Sequence, residues 1–428
     1  MSAVHDEIAI QALSVQAEEI KNQFQDLIDE FKASSWYPDE FADLAMSKEK
    51  KDKIDPEADR FIYPLPPETD CQKKLAKFAD EKYPYTDACP LKQIYLINFY
   101  LTNAIKSLQS GDIKSAIKFC GVYSHVVADI GEPIHAMSPA LLDIVAPPPH
   151  EFLGLELHAN VEGLKASVNI SGYQPKLLGK NLKQAEMGAF AGLIEAHRFG
   201  AAQATPIVQA LYAKDIDKAT KLSGLAQAES AKHFADFIFT VFSIANGNTD
   251  QQTLICELRT FPYISCSIDM LYRYQPIPDA SLVPYSGGKM QPLALQETKD
   301  SIVEVKGLGV VPSLAPPFDG HQRIADIEYF IVPGAYQQFS ATVGLNPLFK
   351  ESMPSTKFQV IGTGEVLAES KLLQPGDNAQ ELVADLKNTQ FLTLRMTYVN
   401  TPLPDELNTV SNHLAWVSHG VWGEPVLR

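Results

Sequence analysis

The sequence predicts a multi-domain protein in which an all-α domain precedes an all-β sandwich. With 428 residues the chain is longer than one ordinary domain, so two hydrophobic cores are expected. Up to about residue 250, apolar residues recur at steps of three and four, as on amphipathic helices. Beyond that point they alternate with polar residues and include many β-branched and aromatic types, which favours strands.

The helical region begins near the amino terminus and is interrupted by one long irregular stretch. An amphipathic pattern over residues 6–31 is followed by a segment rich in Pro, Asp and Lys, about 36–90. Loops of this length inside an α-domain usually carry function. Helical patterns return over 91–109, 111–131, 181–213 and 215–246.

The strand region contains alternating runs such as 339–345, 357–362 and 391–399. Pro and Gly concentrate at 274–289, which we take as a linker. The predicted domains are therefore an α-domain at 1–273 and a β-sandwich at 290–428.

Charge and hydropathy limit the partners. The net charge of −16 disfavours non-specific binding to nucleic acid or to anionic membranes, although cations bound in a site would reverse the sign locally. The longest apolar runs, as at 237–245, are about half of a membrane span, so no transmembrane segment is expected. The amino terminus lacks a secretory signal pattern. We expect a protein that is secreted or translocated without a cleaved signal, with a cytoplasmic location as the alternative.

The five cysteines are an odd number, so one at least is unpaired in a single chain. Cys71 and Cys89 lie in a loop-like stretch and could form a disulfide, although reduced thiols are equally allowed.

Histidines and carboxylates concentrate in two short segments, H-V-V-A-D-I-G-E-P-I-H at 125–135 and H-A-N-V-E at 158–162. His125 and Asp129 are four residues apart and so share one face of a helix, and the second segment repeats this spacing with His158 and Glu162. Pro133 should kink or end the first helix just before His135 and turn that imidazole toward a different point in the same cleft. Imidazole nitrogens and carboxylate oxygens are zinc ligands, so the pattern predicts a multinuclear zinc site.

Asp129, with histidines on both sides, is the natural bridging carboxylate. Two cations about 3.5–4 Å apart can share such a group and activate a hydroxide, which suits attack on a phosphodiester.

These motifs resemble the signature of the zinc-dependent phospholipase C and single-strand nuclease superfamily, over about residues 1–250. The resemblance implies an all-helical fold with a cleft for two to three Zn2+ ions. It implies that His135, His158 and Glu162 hold one zinc and that His125 and Asp129 help to hold the others. It also implies metal binding by His5 and by a loop aspartate, for which Asp39 fits and Asp43 is the second choice; Asp39 would orient or deprotonate the attacking water.

Two positions depart from the family pattern. Characterised members begin with a tryptophan whose terminal amine and carbonyl bind a metal, a role that Met1 or Ser2 would have to fill here. They also carry a histidine where this chain has Arg60, so Asp59 or a further water would replace that ligand. We expect His150 at a loop surface and His197 and His233 to be packed and hydrogen-bonded rather than liganding.

The strand region is similar to the NPCBM family of carbohydrate-binding modules, over about 285–428. The similarity rests on segments 306–309, 339–345, 358–370 and 412–416, and implies a jelly-roll-like β-sandwich. Family members usually have Asp on either side of the His-Ala pair before the Trp, where this chain has Asn412 and Ala415. Trp416 and Trp422 could stack on a sugar or dip into a membrane interface, but such residues more often close the core.

The sequence thus predicts a zinc phospholipase C that hydrolyses a glycerophospholipid at a membrane surface by a metal-activated hydroxide, releasing diacylglycerol and a phosphorylated head group. Its accessory module would bind a glycan or hold the enzyme near the surface, and no nucleic acid is involved in this interpretation. Glu rather than Asp at position 162 and the acidic composition favour lipid. Two alternatives stay open: a nuclease or nucleotidase with the same metals, favoured by base-stacking aromatics near the cleft, and a glycan-binding protein with a degenerate metal site.

Overall fold

A computed structural model describes most of the chain. The described residues are 3–38, 55–63, 94–137, 151–152, 155–250, 256–268, 277–282, 290–297, 302–310, 323–348, 355–399 and 419–428. The chain divides into two compact units, Met1–Gln252 and Thr253–Arg428.

The first unit is helical. Its described helices are α1 (Ala3–Ser14), α2 (Glu18–Gln25), α3 (Ile28–Ser35), α4 (Ile94–Gln109), α5 (Ile113–Gly131), α6 (Leu157–Glu162), α7 (Leu182–Tyr212) and α8 (Ile216–Ala245). A short hairpin of β1 (Glu151–Phe152) and β2 (Leu155–Glu156) leads into α6.

Helix α5 runs through the core, and nearly all of its side chains are buried. It begins at Asp112, whose side chain accepts a hydrogen bond from the backbone N–H of Ser115, an N-cap that satisfies one of the free donors of the first turn. It ends at Gly131, because Glu132 is extended, as expected of a residue before proline, and Pro133 follows. The predicted end of this helix is therefore confirmed, and His135 lies in the turn beyond it.

Helix α6 is too short to be stable alone and depends on packing. Its apolar residues Leu157 and Val161 join a buried cluster with Ile134 of the turn after α5 and with the carboxy-terminal half of α7, which contributes Ala204 and Ile207. This cluster fixes α6 against the turn that carries His135.

The second unit is a β-sandwich. Its strands are β3 (Cys256–Glu257), β4 (Ser265–Ile268), β5 (Ile277–Pro278), β6 (Ala280–Leu282), β7 (Met290–Pro292), β8 (Ala294–Glu297), β9 (Ile302–Glu304), β10 (Gly307–Val310), β11 (Arg323–Phe330), β12 (Gln338–Leu345), β13 (Ser355–Gly362), β14 (Glu365–Glu369), β15 (Gln380–Asp385), β16 (Phe391–Val399) and β17 (Gly420–Leu427). One sheet has the order β15-β12-β17-β10-β5, with β3 also pairing with β17, and the other has the order β14-β13-β16-β11-β4. All strand pairs of both sheets are antiparallel.

The two sheets face each other across an aromatic core. The ring of Phe358 on β13 lies 5.3 Å from that of Trp422 on β17, and both side chains are fully buried. Trp422 therefore packs in the sandwich core, as tryptophans at such positions more often do, and does not form an exposed surface for sugar or membrane. Trp416 lies outside the described residues. The predicted order of an α-domain followed by a β-sandwich is confirmed.

The division between the units lies earlier than the predicted linker at 274–289. Strands β3 and β4 precede that linker, yet they pair with β17 and β11 of the sandwich. They are short, and turn-like residues surround them, so alternation alone did not mark them as strands. Within the part of the chain that the structure describes, none of the helices has the length and apolarity required to span a bilayer.

Candidate metal centre

Helix α5 presents His125 and Asp129 on one face, one turn apart. His125 Nε2 lies 3.1 Å from Asp129 Oδ2. His5, from the first turn of α1, completes the group: its Nε2 is 3.4 Å from Asp129 Oδ1 and its Nδ1 is 3.1 Å from His125 Nδ1. Both histidines are buried and the aspartate is half-buried. We call these three residues cluster A.

A second group forms where α6 packs beside the turn after α5. The Nε2 atoms of His135 and His158 are 2.7 Å apart, and each lies 3.2 Å from Oε1 of Glu162. The two imidazole rings stack with centroids 4.9 Å apart and an angle of 5° between their planes. We call these three residues cluster B.

The donor atoms fit zinc. In a tetrahedral site with ligand bonds of 2.0–2.1 Å, neighbouring ligand atoms are about 3.3 Å apart. The four histidine–carboxylate distances in the two clusters run from 3.1 to 3.4 Å, and in cluster A the two histidines face different oxygens of Asp129. The Nε2 atoms of His135 and His158, at 2.7 Å, would have to separate by about 0.6 Å around a zinc ion. In each cluster, one ligand atom from each of the three side chains lies within 4.8 Å of the others. Three protein ligands leave a position open for water or substrate, as in catalytic zinc sites.

The electrostatics of the site favour ionised carboxylates. Burial alone would raise the pKa of Asp129, but the hydrogen bond from His125 and the charges of His125, His5 and His135 outweigh it, so the pKa is lowered. Burial also opposes ionisation of Glu162, and the hydrogen bond from His135 with the charges of His158, His135 and His5 lowers its pKa. Residues of each cluster thus act on the carboxylate of the other, so the clusters belong to one electrostatic site.

The pKa of His135 shifts in the opposite direction from those of Asp129 and Glu162. Burial would lower the pKa of its imidazole, but the hydrogen bond to Glu162 and the nearby charges of Asp129, Glu162 and Glu132 raise it. A bound cation would take the place of the proton that these carboxylates stabilise.

Glu132 is a further carboxyl group near the site that sequence reasoning passed over, although it lies inside the 125–135 motif. Its side chain is buried, and burial together with the charges of Glu162 and Asp129 raises its pKa to about 7. Gln227 on α8 hydrogen-bonds this carboxyl group.

Trp36 was also missed as a site residue. Its indole ring stacks on the imidazole of His5, with centroids 5.5 Å apart and an angle of 20° between the planes. In the sequence, Trp36 lies three residues before the predicted ligand Asp39, in the segment S-S-W-Y-P-D-E.

Several predicted site residues are not placed. Asp39, Asp43 and His150 lie outside the described residues, as do Cys71 and Cys89.

Arg60 is exposed and pairs with Asp112 at 3.4 Å, at the start of α5. His125 lies near the other end of that helix. Position 60, where the sequence resemblance led us to expect a histidine, thus carries a surface ion pair in this chain.

His197 and His233 are packed, as predicted. The Nδ1 of His197 lies 3.2 Å from the carbonyl oxygen of Ile130, and the Nε2 of His233 lies 3.3 Å from the hydroxyl of Tyr123. Burial lowers the pKa of His197 to about 4 and that of His233 to about 3, so both rings are neutral at pH 7.

Fold and site together define a protein with a helical unit that carries two histidine–carboxylate clusters and a separate β-sandwich unit. Residues 320–419 of the sandwich match the family model of the NPCBM/NEW2 domain. The resemblance that the sequence predicted for this region is therefore confirmed. A comparison with curated proteins gives no match.

Several solved structures are similar to parts of the chain. The M60 catalytic domain with the CBM51-1 and CBM51-2 domains of Clostridium perfringens ZmpB is 20% identical over 41% of this chain and 15% of that chain, with a TM-score of 0.28. The CBM51 of Clostridium perfringens GH95 in complex with methyl-galactose is 18% identical over 41% of this chain and 100% of that chain, with a TM-score of 0.28. The alpha-toxin of Clostridium perfringens from avian strain SWCP is 13% identical over 90% of this chain and 83% of that chain, with a TM-score of 0.35. The chain spans only 15% of that ZmpB structure and 31% of a second one, which contains the CBM51-2 domain in complex with GlcNAc and INT domains.

Proposed function

We propose that the chain is a zinc-dependent phosphoric diester hydrolase, specifically a phospholipase C that cleaves glycerophospholipids such as phosphatidylcholine to diacylglycerol and a phosphorylated head group. The observation that carries the proposal is the convergence of six side chains into clusters A and B, with histidine–carboxylate distances that suit tetrahedral zinc.

The two clusters would hold one zinc each, and the number of ions would be two or three. Zinc bound there would acidify a coordinated water and neutralise charge on the phosphate oxygens. The chain itself supplies imidazole nitrogens and two carboxylates with lowered pKa values, those of Asp129 and Glu162, at fixed positions. Asp39 remains our predicted residue for orienting or deprotonating the attacking water, and the described residues 3–38 end immediately before it.

The fixed charges support a site for a phosphodiester only when cations are present. The carboxylates Asp129 and Glu162 both have lowered pKa values and would repel a phosphate group by themselves. Two divalent ions would outweigh these two negative charges and give the site a net positive charge. Phosphate binding should therefore require the metal.

Charge also supports lipid over nucleic acid. A chain with a net charge of −16 is unfavourable for following a long polyanionic backbone, whereas a single head group needs only the local field of the site. The alternative is a nuclease or nucleotidase with the same metals, which would cleave single-stranded DNA or nucleotides instead of lipid.

The sandwich unit would serve as an accessory module that holds the enzyme at a glycan or lipid surface. The match to the NPCBM/NEW2 domain supports this role. Because Trp422 is fully buried, a sugar would have to bind elsewhere on the module. A lipid or glycan substrate at a cell surface is consistent with a protein that acts outside its cell.

The test is release of phosphocholine from liposomes that contain phosphatidylcholine, measured in parallel with cleavage of single-stranded DNA and of nucleotides. The zinc-loaded full chain should release phosphocholine, and His135→Ala and Glu162→Gln should each lower the rate at least about 100-fold, since each removes a ligand or its charge. Cleavage of DNA with intact lipid would reject the phospholipase in favour of the nuclease. Loss of all hydrolysis with fewer than two zinc ions per chain would favour the binding-only alternative.

Glu365→Gln is a matched control. Glu365 lies exposed on β14 of the sandwich, so its substitution removes the same charge from the chain without touching either cluster. Its activity and zinc content should equal those of the unsubstituted protein.

A further inference from the structure

We infer that Trp36 is a positioning residue that holds the imidazole of His5 in the orientation needed to complete cluster A. The inference rests on the proposed metal function. It concerns the side chain that supports one ligand and adds no ligand to the site.

The indole contacts α1 at two adjacent positions. Its ring lies face to face with the His5 imidazole at 5.5 Å and 20°. Its Nε1–H donates a hydrogen bond to Oδ1 of Asp6 at 3.2 Å. A hydrogen bond at the edge of the indole therefore fixes the rotation of the ring, and the ring face then limits the rotation of His5.

The stacking contact leaves the imidazole nitrogens available to the site. Nε2 of His5 faces Asp129 and Nδ1 faces His125. A metal-binding histidine usually has its orientation fixed by a partner outside the metal's ligand set. A partner on the ring face can do this without using a nitrogen, and the ring acquires positive character when a nitrogen binds a cation, which strengthens its attraction to the indole face.

The position of Trp36 is set by a close approach of two helices. Trp36 caps the carboxy-terminal end of α3, where its backbone N–H bonds to the carbonyls of Ala33 and Ser34. Helix α3 packs closely against α5 at Gly121: a Cβ added there would lie 1.9 Å from Oγ of Ser34 and 2.6 Å from the carbonyl oxygen of Phe31. Gly121 is one turn before His125, so the contact that seats α3 also fixes Trp36 relative to cluster A.

If Trp36 only stabilised the fold, removing its ring would lower the stability of the helical unit as much as it lowers metal binding. Trp36 is only partly buried, in contrast to Trp422 in the sandwich core. Removing its ring should therefore affect cluster A more than the stability of the whole unit.

The test measures zinc affinity by competition with a chromophoric chelator. It uses the His158→Asn background, in which cluster B is disabled and cluster A is isolated. Trp36→Leu, which loses the stacked ring, should weaken zinc binding about 10–100-fold, the range for partners of metal ligands. Trp36→Phe, which keeps an aromatic face but loses the hydrogen bond to Asp6, should restore part of the affinity. Unfolding midpoints of the metal-free variants should differ little.

Fluorescence gives a readout that does not depend on activity. In the unsubstituted chain, Co2+ bound at cluster A should quench the emission of Trp36, and this quenching should be absent from Trp36→Phe. Equal zinc affinity in Trp36→Leu and its parent, equal quenching in Trp36→Phe, or an affinity loss that matches a general loss of stability would each overturn the inference. Failure of the unsubstituted chain to bind zinc would overturn the proposed function as well, so the two failures are distinguishable.

Discussion

The Nε2 atoms of His135 and His158 lie 2.7 Å apart in stacked rings, with Oε1 of Glu162 at 3.2 Å from both. Two imidazoles that both lack a proton on Nε2 would direct their lone pairs at each other at this distance. The arrangement is favourable when a proton or a metal ion lies between the two nitrogen atoms, so cluster B should bind a cation that depends on all three side chains.

Removing the carboxylate of cluster B should weaken one metal site and spare the other. Glu162→Gln keeps the size of the side chain but loses the charge, so one zinc should bind at least about 10-fold more weakly while cluster A retains its affinity. Zinc titration followed by calorimetry would resolve the two sites. His5→Asn should produce the reciprocal pattern; a single class of sites that both variants weaken equally would contradict two separate clusters.

Chelation should lower the melting temperature of the helical unit. A ligand that binds only the folded state stabilises it by about 2.7 kcal/mol at 100 times its dissociation constant. Zinc bound at clusters A and B would tie α1, α5 and α6 together, so EDTA should lower the unfolding temperature of this unit and leave that of the sandwich unchanged. Differential scanning calorimetry with and without EDTA measures both; equal shifts, or none, would count against metal binding in the first unit.

A buried ion pair beside α5 should be far more important to stability than an exposed one. Nζ of Lys118 lies 2.5 Å from Oδ2 of Asp55, both side chains are buried, and the hydroxyl of Tyr37 donates to the same oxygen at 2.6 Å. Lys118→Met leaves the aspartate buried without its cation and should cost about 3–5 kcal/mol.

The exposed pair between Arg60 and Asp112 provides the matched control. Its nitrogen–oxygen distance is 3.4 Å, and its side chains are 51% and 41% exposed. Arg60→Gln should change the free energy of unfolding by less than about 1 kcal/mol. Urea denaturation of both variants gives the comparison, and similar costs for the two would refute the assignment of burial as the deciding factor.

Gly192 on α7 should not tolerate a methyl group. A Cβ at this position would lie 2.0 Å from Nδ1 of the buried His233 on α8, and the ring has little room to move. Gly192→Ala should destabilise the unit by about 1–3 kcal/mol through overpacking. Adding His233→Ser should relieve part of that cost, so the two substitutions should be non-additive in a double-mutant cycle; simple additivity would contradict the contact.

Acid should destabilise the helical unit through His197. Burial lowers the pKa of its imidazole to about 4 in the folded state, against an ordinary value of 6.5. Between these values the unfolded chain binds a proton that the folded chain does not, so the free energy of unfolding falls as the pH drops from 6.5 to 4. His197→Asn, which can still donate to the carbonyl of Ile130, should show a weaker decline over this range. Urea midpoints of the metal-free protein at pH 7, 5.5 and 4.5 measure the slopes, and parallel slopes would disprove the contribution.

The ligand candidates could be read from the sequence because their spacing is local. His125 with Asp129, and His158 with Glu162, are each one helical turn apart, so a helix is sufficient to bring each pair together. The end of α5 was equally local, since Pro133 restricts the residue before it. The division between an α-region and a β-region followed from periodicity, which short stretches of chain determine without reference to distant ones.

Only the tertiary structure decided which pairs belong together and what supports them. His135 meets His158 because Leu157 and Val161 dock α6 beside Ile134, a contact between residues that periodicity does not relate. Trp36 meets His5 because α3 approaches α5 closely at Gly121, and strands β3 and β4 join the sandwich through partners on β17 and β11. Such contacts depend on how elements pack after they form, and neither residue type nor sequence spacing encodes that packing by itself.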